Sequence, residues 1–255
     1  MTIHVSFAAA ASLLFAASQA DAAEIKVFVG GAMTETVEKI GADFAKSSGN
    51  TLSYVSDTTG SLLNRLKAGE KADVLVVTEP AIDGLQKDGA LVEGSRTELV
   101  RALIGVAMKP GAKAPDLSSP DAFKTSLLAV RSLSYVNPKA GGTSGTYFEG
   151  LLAKMGIADQ MKTKVVYRNQ GSEVADAVAK GDAEIGISFI AELAPNKGVA
   201  IAGPLPAAIQ LPTSYLAAIP KGAANADPAH AFIRAMVSPS GTAVFKAAGL
   251  EPLGH

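Results

Sequence analysis

The sequence predicts an α/β protein built as two similar lobes, and three observations carry that prediction. From Glu24 onward strand-type and helix-type patterns alternate, which favours sheets of mostly parallel strands flanked by helices. Four stretches share one plan: a β-rich run, a small-residue loop, then an amphipathic run. They are Val27-Phe28-Val29 into Gly30-Gly31-Ala32-Met33-Thr34, Tyr54-Val55-Ser56-Asp57 into Thr58-Thr59-Gly60-Ser61, Leu133-Ser134-Tyr135-Val136 into Gly141-Gly142-Thr143-Ser144-Gly145-Thr146, and Val165-Val166-Tyr167 into Gln170-Gly171-Ser172. Finally, Lys67-Ala68-Gly69-Glu70-Lys71-Ala72-Asp73-Val74 is echoed by Ala179-Lys180-Gly181-Asp182-Ala183-Glu184-Ile185. Both read as a helix end, a glycine stop, an acid and a buried strand, the mark of a repeated unit.

The elements follow in order. Residues 24–29 alternate and are β-rich, and Met33, Val37, Ile40 and Phe44 then fall on one helix face. Residues 52–55 form the next strand, and 61–68 a short helix stopped by Gly69. A buried strand over 73–77 precedes Glu79-Pro80, with proline in the tolerated first helical turn. Residues 102–108 read as one apolar strand and 110–120 as a proline-rich loop. The second half repeats the scheme. Strand material lies in 127–136, a helix in 145–155, a strand in 164–167, a helix in 173–179 and a strand in 184–188. Gly203-Pro204-Leu205-Pro206 looks like a crossing between lobes before a strand over 211–219. Asp227 with Pro228 opens one tail helix, and Ser238-Pro239 opens the last, which stops at Gly249.

Residues 1–22 read as an export signal. Val5 to Ala17 is apolar and uncharged, and Ala20-Asp21-Ala22 fits a small-x-small cleavage site. Only His4 could supply positive charge ahead of the apolar run. The run is too short to span a bilayer, and no later one reaches spanning length, so a soluble mature chain is expected. Removing Asp21 with the signal leaves the acids level with the 23 Lys and Arg. A neutral chain lacks the basic face that nucleic acid demands. Cys is 0, which removes disulfides, thiolate nucleophiles and cysteine-ligated metals; a core drawn from 48% hydrophobic residues must supply the stability.

Most catalytic chemistry is excluded by what is missing. The 3 histidines are His4, His230 and His255, none near the four loops. A Ser-His-Asp triad and a histidine metal site both lack their imidazoles. No Gly-x-x-x-x-Gly-Lys-Ser/Thr phosphate loop occurs, and Gly30-Gly31 lacks the third glycine of a dinucleotide fingerprint. What remains are the loops themselves. Each would set free backbone N–H groups and hydroxyls at a helix start, where the helix dipole favours an anion. A single such turn is ordinary α/β punctuation. Four, two per half, point to a pocket between lobes for a small anion. Arg168, at a strand end two residues before Gln170, is placed to clamp a carboxylate. Asp57 opposes anion binding unless it faces away, caps a helix or takes a proton. Phe189 reads as a core or pocket-wall ring.

These segments resemble the periplasmic molybdate-binding proteins of ABC importers, type II extracellular solute-binding proteins, across nearly all the mature length. The resemblance rests on Val27-Phe28 with its small-residue loop, Ser61-Leu62 to Ala68-Gly69, Ala72-Asp73-Val74, Asp182-Ala183-Glu184 with Gly186-Ile187, and Gly249-Leu250. It implies two lobes, 23–101 with 211–255 and 102–210, joined by two crossover strands and closing on a tetrahedral oxyanion. It also implies a periplasmic, monomeric protein without cofactor, delivering its ligand to an inner-membrane permease. The family's hydroxyl contacts fall here on Ala32, Thr59 and Phe189, and its backbone contacts on Ser144 and Gly171. Thr59 retains a hydroxyl; Ala32 and Phe189 do not. Each lost hydroxyl to a charged ligand is worth about 1.5–3 kcal/mol, so molybdate affinity should fall by about two to four decades.

The third loop is longer by a residue and offers Thr143, Ser144 and Thr146 as new donors. A small organic carboxylate then becomes a plausible ligand. The expected binding set is Gly31, Ala32, Thr58, Thr59, Thr143, Ser144, Gly145, Arg168, Gly171, Ser172 and Phe189. The alternative is enzymatic: the secreted activity of aconitate isomerase is associated with this fold family. Asp57, Tyr147 and Arg168 are then the candidates for the proton transfer that a double-bond shift needs. A third option is a sensory lobe presenting its ligand to a receptor, which the sequence does not separate from import.

Overall fold

The computed structural model describes residues 22–253. The expected export signal, Ala22 apart, lies outside them. Among the described residues no helix is long and apolar enough to cross a membrane.

β1 (Glu24–Gly30) is almost wholly buried and runs through a 3-10 turn at Gly31–Met33 into α1 (Thr34–Ser48). That helix buries Val37, Ile40 and Phe44 and ends at Gly49, whose φ of 75° suits glycine. β2 (Thr51–Asp57), α2 (Thr59–Lys67), β3 (Val74–Thr78) and α3 (Glu79–Lys87) continue the alternation. Next come β4 (Thr97–Ala102) and β5 (Ile104–Met108). The single strand expected over 102–108 is thus split at Leu103, and the two pieces lie in different sheets. Apolar residues on both sides of the break hide it, since Ala102 and Ile104 are both buried.

α4 (Pro120–Ala129) was not anticipated, and part of it falls where strand material was expected. Ser119 accepts a hydrogen bond from the Ala122 amide (3.1 Å) and Pro120 fits the first turn. Phe123 and Leu127, four apart, then face the core. β6 (Leu133–Val136), α5 (Thr143–Lys154), a short α6 (Ala158–Met161), β7 (Val165–Arg168), α7 (Gly171–Lys180), β8 (Ile185–Phe189) and α8 (Ile190–Leu193) follow. The chain returns through β9 (Ala200–Pro204) and β10 (Thr213–Ala218) to α9 (Ala226–Val237), α10 (Pro239–Ala247) and β11 (Glu251–Pro252). Asn225, not Asp227, stands at the cap position of α9. The buried Asp73 fixes it there by accepting from the Asn225 amide (2.9 Å) and side chain (3.2 Å).

The first sheet has the order β11-β4-β10-β3-β1-β2 and the second β7-β6-β8-β5-β9. Within them β2-β1-β3 and β7-β6-β8 are parallel. The remaining pairs are antiparallel, so the sheets are mixed rather than mostly parallel. The cause is connectivity: the strands that border each parallel triplet, β10 and β5, arrive from the other sheet and enter in reverse. The two triplets have the same order, and the sequence echo falls at equivalent places. Gly69 (φ 91°) and Gly181 (φ 89°) end α2 and α7, each ahead of the third strand of its triplet.

The chain crosses between sheets twice, at Leu103 and between Pro204 and Thr213. The crossings run side by side. The Leu205 amide donates to the Ile104 carbonyl (3.0 Å), and the Gln210 side chain donates to that carbonyl (2.8 Å) while accepting from the Ile104 amide (3.1 Å).

Candidate functional site

The site lies where strands end. β1, β2, β6, β7 and β8 all point their carboxyl ends at the space between the sheets, and the turns that follow carry the loops singled out in the sequence. In α/β sheets the carboxyl ends of parallel strands are where ligands sit. Gly31, Thr58 and Thr59 of one lobe meet Thr143, Ser144 and Gly171 of the other around a single cavity. Its free volume is about 20 Å³, room for about one water. The cleft is therefore closed. The lobes touch directly at its rim: the Gly60 amide donates to the Gly141 carbonyl (3.3 Å), and the Thr58 hydroxyl donates to the Ala140 carbonyl. Gly60 and Gly141 must both lack side chains, since a Cβ on either would come within 3.0 Å of the other's Cα.

Helix starts supply the chemistry. The turns at Gly31, Thr143 and Gly171 open without a side-chain cap. Away from the cavity the starts are of both kinds: Ser119 and Ser238 cap theirs, whereas α3 and α9 open without a side-chain cap. Uncapped first-turn amides facing a cavity are donors waiting for an acceptor. Thr58, by contrast, caps α2 by accepting from the Ser61 amide (3.2 Å). Asp57 is tied to the same turn: it accepts from the Thr58 amide (2.7 Å) and the Ser61 hydroxyl (2.6 Å), with Arg65 at 3.9 Å. Its charge is thus committed to the start of α2 rather than presented to a ligand.

Sequence reasoning missed two residues at this cavity, Glu192 and Tyr215; Val136, Gly142 and Gln170, named with the loops but outside the expected binding set, line it too. Glu192, on α8, accepts a 2.6 Å hydrogen bond from the Ser188 hydroxyl. Ser188 in turn lies 3.2 Å from the Ser144 hydroxyl. The Glu192 carboxyl lies against Gly31 of one lobe and Gly171 of the other, where a Cβ on either glycine would collide with it. Desolvation pushes its pKa up to about 7, against the lowering effect of the Ser188 hydrogen bond. Tyr215 is buried, and burial together with the Glu192 charge raises its phenol well above the usual value. Its ring packs edge-on against Phe189 at 5.9 Å. No Lys, Arg or His lines the cavity among the described residues.

A wider, open groove of about 550 Å³ adjoins on the side of the crossings, lined by Glu79, Pro80, Tyr147, Leu211 and Pro212 among others. Thr143 lines both spaces.

Residues 25–251 match the family model for bacterial extracellular solute-binding proteins. The chain belongs to that family. It is 27% identical over 234 residues to the aconitate isomerase of a Pseudomonas species, covering 90% of this chain and 88% of that protein. It is 29% identical over 188 residues to the molybdate-binding protein ModA of Azotobacter vinelandii, covering 72% of this chain and 70% of that protein. The solved periplasmic molybdate-binding protein of A. vinelandii has the same fold, with a TM-score of 0.74 at 24% identity over 91% of this chain and 100% of that one.

Around this cleft the expected residues divide. Gly31, Thr58, Thr59, Thr143, Ser144, Gly171 and Phe189 line the cavity. Ser172 stands outside it, in an adjoining groove shared with Glu35, Glu38 and Glu192. Ala32 is buried and faces a separate pocket on the α1 side. Gly145 is packed under the cavity, where a Cβ would run into the Val136 backbone; it lets α5 approach β6. Arg168 turns away, donating to Asp182 (2.9 Å) and to the Tyr167 carbonyl (3.0 Å). The sequence places Arg168 at a strand end but does not say which way its side chain faces. Tyr147, an expected acid-base candidate, donates to the Ile209 carbonyl (2.9 Å) on the returning crossing.

Proposed function

We propose that this chain is the exported, ligand-binding component of an importer, and that it holds a small organic carboxylate in the interlobe cleft for delivery to an inner-membrane permease. One observation carries the reading: uncapped helix starts from both lobes, at Gly31, Thr143 and Gly171, meet at a cavity that no basic side chain lines among the described residues. Such a site binds charge with main-chain amides. The larger open groove beside it, lined by Tyr147, Leu211 and Pro212, gives a carbon skeleton room that a compact tetrahedral ion does not need. Entry requires the lobes to part about the two crossings, and ligand contacts to both lobes then favour closure. The named ligands of the relatives, molybdate and aconitate, bracket the chemistry.

Calorimetry with molybdate, tungstate, sulfate, citrate, tricarballylate and both aconitates tests this. At least one carboxylate should bind more than tenfold tighter than molybdate. Absence of heat and of any melting shift with every probe would contradict the reading.

A second reading, aconitate isomerisation, is favoured by the Glu192 carboxyl at the cavity. A double-bond shift removes a proton from one carbon and returns one to another, which a carboxyl poised near neutrality can serve. Asp57 and Arg168 are engaged elsewhere. Ultraviolet monitoring of cis- and trans-aconitate decides it: turnover by wild type that is lost in Glu192→Gln supports isomerisation, and saturable binding without turnover excludes it.

A further inference from the structure

Glu192 has no place in the anion-binding reading as it stands. A carboxylate at the meeting point of the lobes repels the ligand that the surrounding amides would attract. Compensation is limited to two hydrogen bonds: Ser188 supplies a hydroxyl and Phe189 a backbone donor, and no cation lines the cavity or the groove beside it among the described residues. The other charged or titratable groups around it are Asp57 across the cavity, Glu35 and Glu38 on α1 in the groove, and the Tyr215 phenol. Lys39, further along α1, lines the separate pocket with Ala191. All the acids raise the cost of a second negative charge here. Gly31 and Gly171 are nevertheless the two residues whose missing side chains make room for this carboxyl.

We propose that Glu192 is the specificity-determining residue of the cleft: an anion binds there together with one proton, held between the ligand and the Glu192 carboxyl. This rests on the anion-binding reading and deepens it. A protonated Glu192 donates to the ligand, adding a hydrogen bond where an ionised one would repel. A ligand that brings its own hydroxyl or acidic proton to this point meets an acceptor instead. Permanent dianions such as sulfate and molybdate bring no proton and must draw it from solvent. The cleft therefore favours hydroxy acids and partly protonated polycarboxylates over tetrahedral oxyanions. The carboxyl's poise close to neutrality makes that proton available under ordinary conditions.

The test uses the mature protein with sulfate, molybdate, trans-aconitate and citrate as probes, by calorimetry between pH 6.5 and 9. Sulfate, molybdate and trans-aconitate do not titrate in this range. Their wild-type affinities should fall about tenfold per pH unit above 7. Runs at pH 8 in two buffers of different ionisation heat should show one proton taken up per ligand. In Glu192→Gln, which keeps shape and can donate, the profile should be flat, with no proton uptake and at least tenfold tighter binding than wild type at pH 8.5. His230→Asn should follow wild type. A probe that binds with a flat wild-type profile and without proton uptake leaves the anion-binding reading standing and overturns this inference. Failure of every probe at every pH overturns the anion-binding reading itself, and the role of Glu192 with it.

Discussion

A carboxyl that ionises less readily in the folded chain than in the unfolded one makes stability depend on pH, and Glu192 is such a group. Its folded pKa is about 7 against an unfolded 4.5. Between these values the native state holds a proton that the unfolded state has lost, so stability falls as pH rises from 4.5 to 7 and levels off above. Glu192→Gln removes this dependence. Denaturant titrations should find the variant more stable than wild type at pH 8, by on the order of 3 kcal/mol, with the gap closing toward pH 4.5. An equal gap at both pH values would deny Glu192 its shift. The sequence gives little warning of this residue. Ala191-Glu192-Leu193 looks like the exposed start of a helix, and only the fold brings Gly31 and Gly171 against it. The cavity glycines and threonines were legible because strand-loop-helix patterning fixes where they stand. Arg168 was misread because pattern fixes position along a strand end, not which partner the side chain finds; Asp182 lies 14 residues on.

At the scale of elements, helix starts do two jobs here. Those at Gly31, Thr143 and Gly171 open without a side-chain cap, whereas Thr58 both caps α2 and reaches across to the Ala140 carbonyl. Thr58→Ala should cost about 1 kcal/mol of stability through the lost cap and weaken ligand binding several-fold by loosening closure. Chemical denaturation and calorimetry on one preparation separate the two effects; a binding loss without a stability loss would remove the capping role. Element order was largely readable, since periods of 3.6 and 2 residues alternate clearly from β1 to β8. What was hidden shares a cause. Leu103 interrupts no hydrophobic pattern, and α4 begins at the last of three prolines in a run that reads as loop and ends inside a stretch that reads as strand.

Across the whole molecule, the proposed function requires the two lobes to open and close about Leu103 and the segment 205–212. Gln210 joins these crossings by pairing both backbone groups of Ile104. Gln210→Ala should leave each lobe folded but shift the ligand-free population toward the open form. Small-angle scattering then gives a larger radius of gyration without ligand and an unchanged one at saturation. An unchanged radius in both states would show that Gln210 does not restrain the hinge. Two similar lobes were foreseeable from the echo at Gly69 and Gly181. The reversed bordering strands were not, because strand direction follows from connections that a local pattern does not encode.

The account stands on main-chain amides from both lobes gripping one anion. Amide resonances followed during titration with the tightest-binding carboxylate test this most directly. Gly31, Thr143, Ser144 and Gly171 should shift together, with one common dissociation constant. Saturable binding that moves amides in only one lobe, or leaves these four unmoved, would contradict it.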